Sequence, residues 1–499
     1  MTFICIALVW LTGFFFARFL FPAPPRWSLH NIFLFSLGAG LGIGIASCCY
    51  FLCLAVIGPS LAMLVFLAVI VAGAAMVLAW KTASGGGELE WAAGPPTPRY
   101  LTGFLFLAAA IAAAMFAIRS LNMPSGEWDA WSIWNLKALF LFRGGEFWKD
   151  AFSTQIPTSH PDFPLLVPAI VAMCWTLARG ESIAVPIAIA FLFILGAAGL
   201  LISSTGILRG KTPAFLAGTV LLATSSFVQL GAMQYADVPL SFFILAALAL
   251  LCLQDRFPDD SRFSMAAGLT AGFAPWTKNE GWLFLVALLL ARLIAIRRFG
   301  KQPGSSRQFL RLAAAALPPV AIAAFFKLRL APPNDWFAQK TTDLVAHITT
   351  FARWMFTIEG FVKMAMLFGG FLLPMALALG LYAFLVRFRV EERDRLPLAT
   401  LVLTLGLTLL GEFGAYVLLP PDVVTQLNVS LERLFMQLWP SALLAFFLAA
   451  NPPQLITLPA HADTKAKSGE RSSKPGARSP RPKPRPAQPK PALPPVRLN

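Results

Sequence analysis

The chain has 499 residues, of which 57% are hydrophobic and 13% charged, and a formal net charge of +16. Soluble globular chains carry about 25% charged residues. A soluble fold is therefore excluded, because polar surface is too scarce to cover it, and a disordered chain is excluded because apolar residues are too abundant.

The charge is unevenly placed. Residues 452–499 hold ten Lys/Arg and two acidic residues, a net of +8. Much of the remainder sits in short connectors between apolar runs, which is the positive-inside pattern of a membrane protein and not a nucleic-acid footprint.

In chain order, apolar runs fall at 2–21, 31–57, 59–80, 101–119, 164–178, 183–205, 213–232, 237–253, 263–277, 280–296, 309–326, 363–386, 397–419 and 432–450. They are continuous, whereas a membrane β-barrel shows alternating segments of about ten residues. The pattern predicts an all-α polytopic membrane protein. The first run has no basic stretch ahead of it and reads as a transmembrane helix, not a cleavable signal peptide. The run 164–178 opens HPDFPLLVP, with three prolines, and reads as a juxtamembrane or re-entrant piece. That leaves about 13 transmembrane helices, with the N-terminus outside and the C-terminus inside. The organisation expected is extra transmembrane helices over 1–100, a core over 101–450 and a basic, Pro-rich, disordered cytoplasmic tail over 451–499. Two long polar loops, 120–163 and 327–362, then face the outer side, the first with juxtamembrane helices. The six cysteines (Cys5, Cys48, Cys49, Cys53, Cys174 and Cys252) lie inside apolar stretches without zinc or disulfide spacing, and read as buried free thiols.

Ionisable residues at membrane depth mark functional sites, and here they gather at the outer helix ends. The segment SGEWDAWSIWNLKALFLFRGGEFW sets Asp129 among Trp128, Trp131 and Trp134. These aromatics, with Phe140, suit an interfacial amphipathic helix, and a carboxylate in such a setting suits a general base. Glu127 precedes it. Tyr235 and Asp237 open a span in QYADVPL. Lys278 and Glu280 lie in PWTKNEGW, His160 in SHPDFP and Arg433 in LERLFMQLWP. A Lys with an Arg is what a lipid-linked phosphate requires. Each has a plainer reading when taken alone. Asp237 caps a helix, Lys278 snorkels, Arg433 anchors at the interface, and His160 is structural.

Taken in order, these elements resemble the GT-C superfamily of integral-membrane glycosyltransferases. The series is an acidic motif in a long first outer loop, a His-Pro element, Tyr-Ala-Asp opening a span, Thr-Lys at an outer helix end, and Arg before a Pro-containing last helix. The pattern is closest to protein O-mannosyltransferases and the bacterial transferase that adds aminoarabinose to lipid A, and it covers roughly 101–450. The mannosyltransferases carry an Asp-Glu pair in the first loop, whereas Ala130 follows Asp129 here.

The resemblance implies transfer of a sugar from a polyprenyl-phosphate donor to a lipid, glycan or protein acceptor, with inversion, at the periplasmic or extracellular face of the plasma membrane. It implies Asp129 and Asp237 as catalytic, and Lys278 and Arg433 as binding the donor phosphate. Glu127, His160, Tyr235 and Glu280 are then substrate-binding. No cofactor or obligatory divalent metal is indicated, and nucleic acid is not a partner. The alternatives are a transporter or flippase of lipid-linked sugars, which the absence of matching halves and the one-sided charge disfavour, and a non-catalytic envelope assembly factor.

Overall fold

At membrane depth, backbone polar groups find no water and must be satisfied within helices. The computed structural model describes residues 2–22, 28–58, 64, 68, 71–78, 88–94, 96–300, 304–334, 341–369, 374–419 and 422–451. Over these the chain is helical, apart from loops and one isolated bridge between Phe388 and Ala450. The helices are α1 (Thr2–Leu20), α2 (Leu29–Val56), α3 (Arg99–Asn122), α4 (Asn135–Arg143), α5 (Leu166–Ala178), α6 (Ala184–Arg209), α7 (Lys211–Ala223), α8 (Ser225–Ala232) and α9 (Asp237–Arg256). They continue as α10 (Arg262–Thr277), α11 (Glu280–Phe299), α12 (Ser305–Arg329), α13 (Thr341–Thr349), α14 (Phe351–Leu367), α15 (Met375–Val386), α16 (Arg395–Leu418) and α17 (Val423–Ala449). The tail 452–499, read as disordered, lies outside the described residues.

Eight helices among the described residues (α1, α2, α3, α6, α9, α12, α16 and α17) are long and apolar enough to cross a membrane. The pair α7–α8, bent by 58°, makes a ninth if it is one span. The protein is thus a multi-pass helical membrane protein; among the described residues eight or nine helices have this length and hydropathy, against the 13 spans read from the sequence. Most of the run 59–80 lies outside the described residues. Helix α10 has 16 residues, about 24 Å at 1.5 Å per residue. Helix α11 is interrupted by Arg292, Arg297 and Arg298 besides Glu280, and the run 363–386 is divided between α14 and α15.

The run 164–178 forms α5, whose 13 residues reach only about 20 Å, short of the roughly 30 Å hydrocarbon core. Both its ends lie at one end of the bundle. Asp162, just ahead of it, is bonded to Lys327 at the close of α12. Thr176, near its far end, meets the Tyr50 hydroxyl, which also donates to the carbonyl of Leu141. Arg143 and Glu181 pair beside them.

Tertiary contacts separate two ends. At one, the Phe21 ring meets Phe263 at 4.6 Å, the amide of Ala92 donates to Gly206, and Arg209 bonds Asp394 and the carbonyl of Ala450. Arg292 there holds both oxygens of Asp255 and reaches Thr400. These contacts bring together the basic connectors after α1, α6, α9 and α15. The opposite end carries the charges described below.

Helix α9 runs through the centre, every residue from Asp237 to Gln254 buried. Helices α1 and α2 belong to the same core: a Cβ at Gly42 would lie 2.2 Å from the carbonyl oxygen of Val9, so only glycine allows the two backbones this approach. Of the six cysteines, Cys49 is half-buried and the others buried, and all are free thiols.

Candidate functional site

The first loop is stitched to the turn between α8 and α9. Gln234 accepts from Asn135 and donates to the carbonyl of Pro124, each at 3.0 Å. The amide of Glu127 donates to the carbonyl of Met233, and the Glu127 carboxylate pairs with Arg119 of α3. Gly126 has a φ of +76°, and a Cβ there would sit 2.6 Å from the Met233 oxygen. A larger residue at 126 therefore pushes the loop away. A π turn follows over Ala130–Trp134. It leaves Trp128 and Trp131 exposed as an edge-to-face pair with centroids 4.5 Å apart. Trp134, which the sequence pattern groups with them, is buried against Phe163.

This stitching brings Asp129 to Arg433 of α17, with the guanidinium Nη2 2.7 Å from Asp129 Oδ2. The same guanidinium bonds Asp237 Oδ2 through Nη2 at 2.9 Å and Nε at 3.2 Å, and lies 4.6 Å above the Tyr235 ring. Asp237 Oδ1 accepts from Lys278 Nζ at 3.1 Å and from Gln437 at 2.7 Å. Lys278 also donates to Glu280 at 2.6 Å. Asp129, Tyr235 with Asp237, Lys278 with Glu280, and Arg433 come from four segments far apart in sequence and form one cluster.

The two aspartates differ. Asp237 is fully buried and accepts four hydrogen bonds, so its oxygens are occupied. Asp129 is partly exposed and meets Arg433 through Oδ2 alone among the described residues. Burial, and after it the Asp129 carboxylate, push the Tyr235 hydroxyl above its ordinary value. Lys278 has three N–H donors, two of them taken by carboxylates.

His160 stands apart. It adopts a left-handed φ of 45°, stacks on Phe163 with centroids 4.6 Å apart, and its carbonyl accepts from Lys137 Nζ at 2.6 Å. It belongs to a second cluster around Asp162, whose Oδ2 accepts from Asn279 (2.8 Å), Asn334 (2.7 Å) and Lys327 (3.1 Å). Burial alone would raise the Asp162 carboxyl, but Lys327 and the two amides hold it below the ordinary range. Lys137, fully buried, also donates to the carbonyl of Phe163, and burial pushes it down to about 7. The clusters are joined by adjacent residues, since Lys278 and Glu280 serve the first and Asn279 the second.

Several members of this site were not among the sequence candidates. Gln437 lies one turn beyond Arg433, so helical spacing was its only signal. Lys137, Asp162 and Lys327 fall within the two long polar loops of the sequence, 120–163 and 327–362, and their convergence needs the fold. Glu412 is a carboxylate inside the apolar run 397–419, a signal that was present and unused. It is 8% exposed, within electrostatic range of Glu280 and Lys278, and takes no hydrogen bond among the described residues. Among the described residues no group of three or more His, Cys, Asp or Glu side chains could hold a metal ion. Comparison of the chain with family models, with curated proteins and with solved structures found no match.

Proposed function

We propose that the protein is a membrane glycosyltransferase that moves a sugar from a polyprenyl-phosphate donor to a lipid, glycan or protein acceptor on the extracytoplasmic side. The observation that carries this reading is the convergence of Asp129, Asp237, Lys278 and Arg433 at one end of an apolar helical bundle. In it, Lys278 and Arg433 offer a donor phosphate two cations where charge develops on the leaving group. Asp129, with an oxygen to spare, orients and deprotonates the acceptor hydroxyl. Asp237 holds both cations in place and is a positioning residue, although the sequence pattern alone ranks the two aspartates together. A single displacement inverts the anomeric centre, and a retained configuration in the product contradicts that step.

The test is transfer from radiolabelled polyprenyl-phosphate sugars in membranes containing the protein, with label counted in lipid, glycan and protein fractions. Label that appears with wild type and collapses in Asp129→Asn supports the reading. Equal label with and without the protein, from every donor tried, contradicts it.

A second reading, transport of a lipid-linked sugar, is favoured by one observation. Thr224, where α7 bends into α8, accepts from the Trp439 indole at 3.1 Å. Thr224 also lies against Gly369, which has a φ of +73° and sits just past the end of α14. Interrupted helices that meet inside a bundle are a feature of transporters. Transbilayer movement of a fluorescent lipid-linked sugar in proteoliposomes, without an acceptor, distinguishes the two.

A further inference from the structure

A groove opens at the basic end of the bundle, away from the charged cluster. One wall is a face of α16. Arg395, Leu398, Ala399 and Val402 follow one another at helical spacing and share a stripe, about 10 Å long at 1.5 Å per residue. Phe299 at the close of α11 and Val390 ahead of α16 complete the lining, around a space of about 350 Å³. The segments that form it are tied together. Arg292 of α11 reaches Thr400, on the buried side of α16. Arg209 bonds Asp394 and the carbonyl of Ala450, and the amide of Arg389 donates to the carbonyl of Ala449. At this end Arg209, Arg262, Arg292 and Arg393 are spent on carboxylates. Two arginines at the groove are not. Arg395 lines it, and the Arg298 guanidinium lies 5.7 Å above the Phe299 ring. Both are exposed, and neither has a carboxylate partner among the described residues.

We propose that this groove binds one anionic phospholipid, its phosphate held by Arg298 and Arg395 and an acyl chain lying along Leu398, Ala399 and Val402. Charge complementarity selects the ligand. Guanidinium groups suit phosphate oxygens, and basic pockets between membrane helices bind acidic lipid headgroups. Five of the six lining residues are apolar, so a free anion would leave that wall uncovered. The chain's own segment 452–499 has a net charge of +8, the sign of the two arginines, which disfavours it as the occupant. The site lies at the opposite end from Asp129 and Arg433 and does not depend on the transferase reading. A lipid seated there binds only where α11 and α16 are joined, and so stabilises the folded state.

Native mass spectrometry of the full chain in detergent, titrated with dioleoyl phosphatidylglycerol or dioleoyl phosphatidylcholine, tests the site. Wild type should retain one phosphatidylglycerol about tenfold more tightly than phosphatidylcholine. In the double variant Arg298→Gln/Arg395→Gln the preference should fall to about twofold or less. Arg311→Gln removes one charge on α12, outside the groove, and should keep it. Equal affinity of wild type for the two lipids overturns the inference whether or not the variants fold. So does a folded double variant that keeps the full preference. A loss in Arg311→Gln as large as in the double variant also overturns it, because the attraction is then a diffuse field and not a site. Inorganic phosphate that displaces phosphatidylglycerol at equal concentration assigns the arginines to a free anion and overturns the lipid.

Discussion

At the residue scale, the two aspartates of the cluster separate catalysis from architecture. Removing Asp237 leaves Lys278, Arg433 and Gln437 facing an empty buried space, and breaking a buried pair in this way costs about 3–5 kcal/mol. Asp237→Ala is therefore expected to lower both the thermal midpoint and activity. Asp129, partly exposed and singly bonded, is expected to behave differently. Asp129→Asn should keep the wild-type melting temperature to within a few degrees while transfer falls by roughly 10²–10⁴-fold. Melting curves in detergent, set beside transfer rates, check both outcomes. Equal loss of stability in the two variants contradicts the division of labour.

Lys137 gives a pH signature. Its folded value of about 7 lies below the ordinary 10.5, so between those limits the unfolded chain binds more protons than the folded one. Stability contributed at this position must then rise with pH from about 7 to 10.5 and be flat below that window. The melting temperature of wild type minus that of Lys137→Met, followed across the window, should climb. A falling difference contradicts the assignment. A neutral amine retains two N–H donors, the number that the carbonyls of His160 and Phe163 take.

At the element scale, length and small residues decide the architecture. Helix α5 is apolar yet returns to the end where it starts, because 13 residues cannot cross. Cysteines placed at Thr154 and Ile183, one on each side of α5, should react with a membrane-impermeant maleimide from the same side. Labelling from opposite sides contradicts the reading. Helices α1 and α2 touch through glycine, and Gly42→Val places a branched side chain against the Val9 backbone. Overpacking of this kind typically costs about 1–3 kcal/mol, and the loss should appear as a lowered melting temperature. A wild-type melting temperature in that variant contradicts the close contact.

Elements of this kind were legible wherever one physical rule governs the residues. Apolar runs gave helices, and the prolines and short length of 164–178 marked a segment that does not cross. The run 363–386 was read as one span because hydropathy does not register the interruption after α14. Helix α11 carries three arginines in its apolar window and is not among the eight, yet it runs from Glu280 at the charged end to Arg292 at the other. The Trp134 ring was misplaced because a π turn changes which residues share a face.

At the scale of the whole molecule, the sequence showed which charges lie at one end but not which of them touch. Asp129, Asp237, Lys278 and Arg433 were chosen from four separate segments, and the fold unites them. His160 and Glu127 were chosen with them, yet His160 joins the Asp162 cluster and Glu127 pairs with Arg119. Such sorting depends on helix–helix register, which a single sequence does not encode locally. Gln437 and Glu412 were missed for the same reason, since a polar residue in an apolar helix declares its importance but not its partner.

The most direct test of the central claim is single-turnover transfer by purified protein with a saturating polyprenyl-phosphate sugar, comparing wild type with Lys278→Ala and Arg433→Ala. If this cluster stabilises the leaving phosphate, both variants should slow the chemical step by at least about tenfold at saturation, because a contact strengthened in the transition state is lost. Chemical steps at the wild-type rate in both folded variants would contradict the account.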